Sequence, residues 1–264
     1  MDILITGSTV HSRQYVEAYM FNRNIKLSFL PDCENKIDEE IKHYGIEFVG
    51  EREVKSRIES YDVVIVANYL DKKMKVLKLL HDLNYSGKCV VEKPFASNRI
   101  NYLTNLSYLK NINYFVAYSR QLYRCSIEEK IFNNLIEELY WPNFCERGID
   151  IVIDTLPHVL DFLLIANGDD MFDVRLDEET KERFVIIANT KNHPIKVIIY
   201  NTNKYDFVRT KDVEFEWPNY FEYNMKILEC LSDEYFLDKN HRRNEIISDI
   251  YYQITGGIKG EHKI

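Results

Sequence analysis

The sequence predicts an α/β protein in which a doubly wound parallel sheet is followed by an α+β region with a mostly antiparallel, open sheet. Three observations carry this reading. Through residue 118, short β-rich runs alternate with amphipathic stretches, the pattern of βαβ units. Beyond it, strand-like runs follow one another across short polar turns, as antiparallel neighbours do. The chain has 264 residues with 45% hydrophobic content, enough for two modest cores. The expected division is 1–118 and 119–264.

Taken in order, "DILIT" (2–6), "IKLSFL" (25–30), "YDVVIVAN" (61–68), "KCVVEKPF" (88–95) and "NYFVAY" (113–118) read as five parallel-type strands. Between them "RQYVEAYMF" (13–21), "KIDEEIKHYG" (36–45) and "KKMKVLKLLHDLN" (72–84) are amphipathic; in the last, Met74, Leu77 and Leu80 share a helical face. The second region opens with a charged helix, "SIEEKIFNNLIEEL" (126–139). "DTLPHVLD" (154–161) follows: Pro157 is tolerated only in a first helical turn, so a helix is expected from about Thr155 to just before Gly168. "FVIIANT" (184–190), "IKVIIYNT" (195–202) and "DVEFEW" (212–217) are strands, "RRNEIISDIYYQI" (242–254) is a final helix, and "TGGIKGEHKI" (255–264) is a frayed tail.

Several function classes are disfavoured at this stage. Net charge is -8 and no stretch concentrates Lys and Arg, which leaves a nucleic-acid or anionic-membrane partner little electrostatic basis. No run approaches the ~18 apolar residues of a membrane span, and the start, "MDILITGS", is too short in apolar residues for a signal sequence, so the expectation is cytoplasmic. Cys33, Cys89, Cys125, Cys145 and Cys230 are odd in number and form no C-x-x-C pair, consistent with reduced, mostly buried thiols. No metal site is expected: His158 and Asp154 lack a third ligand in the sequence, and His193, His241 and His262 read as solvated.

Four short stretches carry candidate chemistry. "GSTVHS" (7–12) stands where a dinucleotide-binding turn would show G-x-G-x-x-G, with Gly7 kept and Thr9 and Ser12 at the other two glycine positions. Gly7, Thr9, Val10 and His11 are therefore candidate cofactor contacts; the alternative is an ordinary strand-to-helix turn with hydroxyl caps. In "PDCE" (31–34), Asp32, with Glu34 second, lies where an acid would hold an adenosine ribose diol. "VVEKPF" (90–95) ends an apolar strand with Glu92 and Lys93, at the sheet edge where open α/β sheets bind ligands. In "DTLPHVLD", an imidazole between two carboxylates is oriented and able to exchange a proton near neutral pH; the alternative is a hydrogen-bonded core histidine.

Together with "VAYSRQLY" (116–123), this ordered set resembles the Gfo/Idh/MocA family of NAD(P)-dependent oxidoreductases, and the resemblance spans essentially the whole chain. It implies a Rossmann domain followed by an α/β domain whose open sheet commonly forms a homodimer, with the active site between domains. By that similarity Lys93, Asp154 and His158 form the catalytic cluster, and Arg120 positions substrate or cofactor, with Tyr118 and Asp161 beside the substrate. The cofactor is NAD or NADP, contacted also by Asn68, Tyr69 and Glu92. The substrate is a small molecule, most readily a sugar or sugar derivative. Members usually carry T-P-x-x-x-H where this chain has "NYLDKK" (68–73); Tyr69 is the candidate to cover the nicotinamide instead.

Two other readings compete. One is a Rossmann-type binding or regulatory protein without catalysis, suggested by the missing glycines; a small imine or tetrapyrrole reductase is a variant of the enzymatic reading. The other is a short-chain dehydrogenase or sugar epimerase, suggested by "ILITGS" (3–8) and by Tyr69 and Lys73 at Y-x-x-x-K spacing, although that pair directly follows a strand and leaves "EKP" and "DTLPHVLD" without a role.

Overall fold

The computed structural model describes residues 1–33, 36–118, 120–123, 127–129, 136–144, 151–180, 182–202, 208–211, 213–215 and 220–256. The chain divides into two compact units, Met1–Ala117 with Pro218–His241, and Tyr118–Trp217 with Arg242–Ile264. Chain order alone suggests a single cut at 118/119; by compactness the segment Pro218–His241 joins the first unit.

The first unit holds a parallel sheet of six strands: β1 (Asp2–Thr6), β2 (Lys26–Leu30), β3 (Glu47–Phe48), β4 (Val63–Val66), β5 (Lys88–Val91) and β6 (Asn113–Val116). Their order is β3-β2-β1-β4-β5-β6, so the chain builds outward from β1 to one side, then returns and builds from β4 to the other. Ile3, Ile5, Val64, Ile65, Val90 and Phe115 are fully buried, which is why these strands read as continuous apolar runs. All five expected strands are present; β3 is the addition, and at two residues it is too short to register as a pattern. The crossovers carry α1 (Val10–Tyr19), α2 (Lys36–Lys42), α3 (Glu51–Arg57), α4 (Leu70–Asp82) and α5 (Arg99–Leu109). The periodicity does not reveal α5, because its buried face consists of Tyr102, Asn105 and Leu109; its start is marked by Asn98, whose side chain accepts from the Asn101 amide at 2.9 Å.

The second unit is built on a sheet with order β12-β11-β7-β10-β9-β8, from β7 (Glu138–Phe144), β8 (Asp173–Glu179), β9 (Arg183–Asn189), β10 (Pro194–Thr202), β11 (Val208–Arg209) and β12 (Glu214–Phe215). The β7–β10 pair is parallel and the others are antiparallel, as the turn-linked runs imply. Along β10, Ile195, Val197 and Ile199 are buried while Lys196, Ile198 and Tyr200 are partly open. Trp141, in register with Ile199, meets Phe162 of α6 (Leu156–Ala166) edge-on at 5.8 Å, and Phe162 also meets Phe215 at 5.2 Å, so α6 covers this face. The expected helix at 126–139 is corrected in part: Glu138 and Leu139 begin β7, residues 127–129 are helical, and 126 and 130–135 lie outside the described residues.

Two further helices complete the described chain, α7 (Tyr220–Cys230) and the 22-residue α8 (Glu234–Thr255), which starts well before the segment that the apolar spacing marks. In the first unit, Tyr19 on α1 donates to the Asn224 carbonyl on α7 at 2.7 Å. The fully buried Asn240 closes the free edge of β6: its Oδ1 accepts from the Val116 amide at 2.8 Å and its Nδ2 donates to the Val116 carbonyl at 2.9 Å. His241 is half-buried, bonds the Tyr114 carbonyl through Nε2 at 2.7 Å and stacks on that ring, so the solvated histidine expected here is corrected to a packed one. The frayed tail expected at 255–264 lies, from residue 257, outside the described residues. No described helix is long and apolar enough to cross a membrane.

Asn240 satisfies both main-chain groups of an edge residue in a buried setting, so Asn240→Ala leaves them unpaired. Urea unfolding of that variant should show a loss of about 1–3 kcal/mol; a loss near zero means that water replaces the side chain at the β6 edge.

Candidate functional site

Open parallel sheets bind ligands beyond their carboxyl ends where the strand order reverses. Here the reversal lies between β1 and β4, and Gly7 and Asn68 stand just past those two strands. Gly7 has φ +95°, and a Cβ on it would lie 2.8 Å from both the Asn68 Cα and the Asn68 N, so only glycine fits. Thr6 Oγ1 donates to Asn68 Oδ1 at 2.6 Å, Asn68 Nδ2 donates to Asp32 Oδ2 at 2.8 Å, and the Ser8 amide donates to Asp32 Oδ1 at 3.0 Å. Lys72 reaches the Asp32 carbonyl at 2.9 Å and lies 3.7 Å from its carboxylate. Burial alone would raise the Asp32 carboxyl, but the bonds from Asn68 and Ser8 and the nearby ammonium carry it below the usual carboxylate range. Asp32 thus keeps a side-chain exposure of 11% and already holds partners within the chain; Glu34, the second choice, lies outside the described residues.

The two hydroxyls at the former glycine positions turn inward. Thr9 is the N-cap of α1 and forms a capping box with Ser12, and its Oγ1 also donates to the Ala67 carbonyl at 2.9 Å. Ser12 is fully buried and donates to the Gly7 carbonyl. Neither side chain is directed at solvent, so the amino end of α1 keeps its main-chain character; the Val10 amide, in the first turn, has no carbonyl within the helix to bond. His11 is half-buried in the same turn. First-turn main-chain amides of a helix are groups to which anions bind.

Beyond β5, Glu92 and Lys93 are 4% and 5% exposed. Glu92 accepts from the Tyr15 hydroxyl at 2.6 Å; burial first, and then the Glu92 charge, push that phenol well up. Lys73, from α4, is 1% exposed and donates to the carbonyls of Glu92 at 2.5 Å and Pro94 at 2.6 Å. Burial lowers the Lys73 amine to about 7, with Glu92 opposing and Lys93 adding to the shift. Tyr69 follows β4 with 54% exposure, an aromatic ring left open at the same sheet edge.

In the second unit, α6 begins as expected, with Pro157 in its first turn, after a π-helical turn Ile151–Thr155. Thr155 Oγ1 donates to Asn143 Oδ1 at 2.6 Å, and Asn143 Nδ2 donates to Asn201 Oδ1 at 2.7 Å, which ties the helix start to β7 and β10. From Thr155 to Ile165 every residue is buried except His158, so ahead of the helix's last residue, the partly exposed Ala166, an imidazole occupies the partly open position. Asp154 lies in the turn ahead of it, with its side chain outside what is described. Asp161, expected beside the substrate, is 0% exposed, its Oδ1 accepts from Arg243 at 2.5 Å and its Oδ2 from the Arg120 amide at 2.8 Å. Arg243 also pairs with Asp169. Tyr118, also expected beside the substrate, is 1% exposed and its hydroxyl donates to Asn244 Oδ1 at 3.1 Å. The Arg120 guanidinium lies 5.5 Å from the Trp141 ring centroid.

Gly7, Thr9, Val10, His11, Asp32, Asn68, Tyr69, Glu92 and Lys93 thus gather on the carboxyl side of the first sheet, and His158 and Arg120 belong to the second unit. Among the described residues, no group of three His, Cys, Asp or Glu is arranged to hold a metal ion. Sequence reasoning missed Lys73 as part of this surface, and Arg243 altogether. Lysine in an amphipathic helix reads as solvated, and nothing in "RRNEIISDI" marks one arginine as buried; the clue to both lies in tertiary contacts.

No family model matches the chain, and no curated protein matches it. Solved structures do. UDP-N-acetylglucosamine 3-dehydrogenase GnnA from Acidithiobacillus ferrooxidans superimposes with TM-score 0.70 at 11% identity, over 97% of this chain and 98% of that one. The dehydrogenase MviM from Clostridium difficile gives TM-score 0.69 at 14% identity, over 96% and 99%. An oxidoreductase from Agrobacterium radiobacter, solved with NAD+, L-tartaric acid and magnesium, gives 0.66 at 11%, over 95% of each. The chain therefore shares the fold of these dehydrogenases along nearly its full length, as the resemblance to the Gfo/Idh/MocA family leads one to expect.

Two measurements test the buried charges. Arg243→Met strands Asp161 and should cost about 3–5 kcal/mol in chemical unfolding; if stability holds and only activity falls, Asp161 belongs to a site after all. For Lys73, the folded chain gives up its proton near pH 7 and the unfolded chain near 10.5, so across that window the unfolded state binds more protons. The penalty is full below pH 7 and relieved as pH rises. Stability of the native protein relative to Lys73→Met should therefore climb between pH 7 and 10 by up to ~1.4 kcal/mol per unit. A flat difference across that range removes the assignment.

Proposed function

We propose that the protein is an NAD(P)-dependent oxidoreductase acting at a hydroxyl or ketone carbon of a small substrate, with a sugar or sugar derivative the favoured class. The observation that carries this reading is the collection of Gly7, Asn68, Tyr69, Glu92 and Lys93 beyond β1, β4 and β5, beside the reversal of strand order. The shared fold supports it, since structures with that fold include a UDP-N-acetylglucosamine dehydrogenase and an oxidoreductase solved with NAD+. When bound, the nicotinamide supplies the hydride acceptor or donor.

The chain supplies the rest. Val10 and His11 hold the pyrophosphate through main-chain amides at the start of α1, Gly7 keeps that approach open, Thr9 caps the helix, and Asp32 faces the adenosine ribose. A carboxylate kept ionised there repels a 2′-phosphate, which favours NAD over NADP. Asn68, Tyr69 and Glu92 border the nicotinamide end. His158 takes the hydroxyl proton as the carbonyl forms and returns it in the reverse direction, Lys93 stabilises negative charge developing on that oxygen, and Asp154 orients the imidazole. Arg120 positions the substrate. A cytoplasmic homodimer completes the reading.

A second reading, a nucleotide-binding protein without catalysis, draws on one observation: Asp32 and the hydroxyls of Thr9 and Ser12 already have partners within the chain. Fluorescence titration with NADH and NADPH, followed by assays on a panel of sugars and sugar nucleotides, separates the two. The oxidoreductase should bind NADH more tightly than NADPH and turn over a member of the panel. His158→Ala should then lower turnover by ~10²- to 10⁴-fold and leave the NADH dissociation constant within about twofold. Absence of binding to either nucleotide defeats the proposal, and full turnover in His158→Ala defeats the assignment of the base.

A further inference from the structure

We propose that Lys73 is a positioning residue for Lys93, holding the main chain on both sides of it. This deepens the function proposed above and rests on Lys93 acting in that site.

A methionine or leucine would fill the volume of Lys73 without taking an amine out of water. What an apolar residue lacks is a pair of donors. The two acceptors that Lys73 engages, the carbonyls of Glu92 and Pro94, belong to the residues immediately before and after Lys93. The amine therefore reaches from α4 to two acceptors that bracket one residue, and the Cα from which the Lys93 side chain departs is fixed from both directions. No other acceptor meets Lys73 among the described residues, and a neutral amine carries two N–H groups, one for each carbonyl. The charged groups that bear on it are the Glu92 carboxylate, which itself accepts from Tyr15, and the Lys93 ammonium. Burial of the amine favours the form with two donors, in keeping with that count. Polar groups buried this completely constrain geometry more than they add stability, which is what presenting one side chain to a ligand requires.

The test is a double-mutant cycle on the intact chain, read by NADH fluorescence titration in native protein, Lys73→Met, Lys93→Met and the double variant. A residue that acts through Lys93 should weaken NADH binding about five- to tenfold in the native background and change it no further once Lys93 is gone. Equal weakening in both backgrounds, or none in either, overturns the proposal, because a purely structural lysine is indifferent to the side chain at position 93. Lys73→Gln, which keeps two N–H groups, is the rescue variant and should retain most of the affinity in the native background; if Lys73→Met does not fold, Lys73→Ala takes its place in the cycle with the same expectation in both backgrounds.

A second measurement needs no nucleotide. The backbone ¹⁵N resonances of Lys93 and Phe95 report on the two carbonyls that Lys73 engages, and both should move with a common midpoint near pH 7 in native protein and stay still in the position-73 variant. Immobile resonances in the native protein overturn the contact itself. If native protein binds no nucleotide, or Lys93→Met binds NADH normally, the role given to Lys93 in the proposed function falls; the ¹⁵N titration then decides alone whether Lys73 holds this segment.

Discussion

The geometry of the first unit depends on how closely the end of β1 approaches the end of β4. With glycine at position 7 the two main chains come within a distance that no side chain survives, and Thr6, Asn68, Asp32 and Ser8 then close a chain of hydrogen bonds across the ends of three strands. A larger residue at 7 would push β4 away and break that chain at Asn68. Everything assigned to nucleotide binding stands on this floor, including the direction of α1, whose first turn leaves directly from it. A strand-to-helix turn can therefore lose two of its three fingerprint glycines and keep its form, provided that the replacements are small hydroxyls able to bond inward, as Thr9 and Ser12 do.

Much of the fold was legible in the sequence. β1, β4 and β5 are buried on both faces and announce themselves as unbroken apolar runs, and Pro157 places the start of α6 within a residue. What was hidden had physical reasons. β3 is two residues long, and α5 buries an asparagine and a tyrosine where a periodic reading looks for leucine. The site was legible by position and less so by role: Asp161 and His158 lie three residues apart on one helix, yet one is sealed against an arginine 82 residues away and the other is partly open. No local pattern tells an acid that serves a buried arginine from one that serves a substrate, because the partner is set by tertiary packing.

The buried ions share a character. Asp161 with Arg243 in the second unit, and Glu92 with Tyr15 and Lys73 beside it in the first, are each removed from water in exchange for fixed partners. Apolar residues of like volume would be at least as stabilising in such places. In the proposed reading, orientation is what they secure: Arg243 pins α6 one turn past His158, and Lys73 pins the end of β5 on both sides of Lys93.

Asn240 has a consequence for how the protein is made. The strand whose edge it covers is synthesised 124 residues ahead of it, so on the ribosome β6 emerges with a bare row of main-chain groups, while the whole second sheet is still to come. The first unit is thus not a module that can finish folding as it leaves the exit tunnel; it waits, with an adhesive border, for a helix encoded far downstream. A fragment cut near residue 118 would carry that border uncovered.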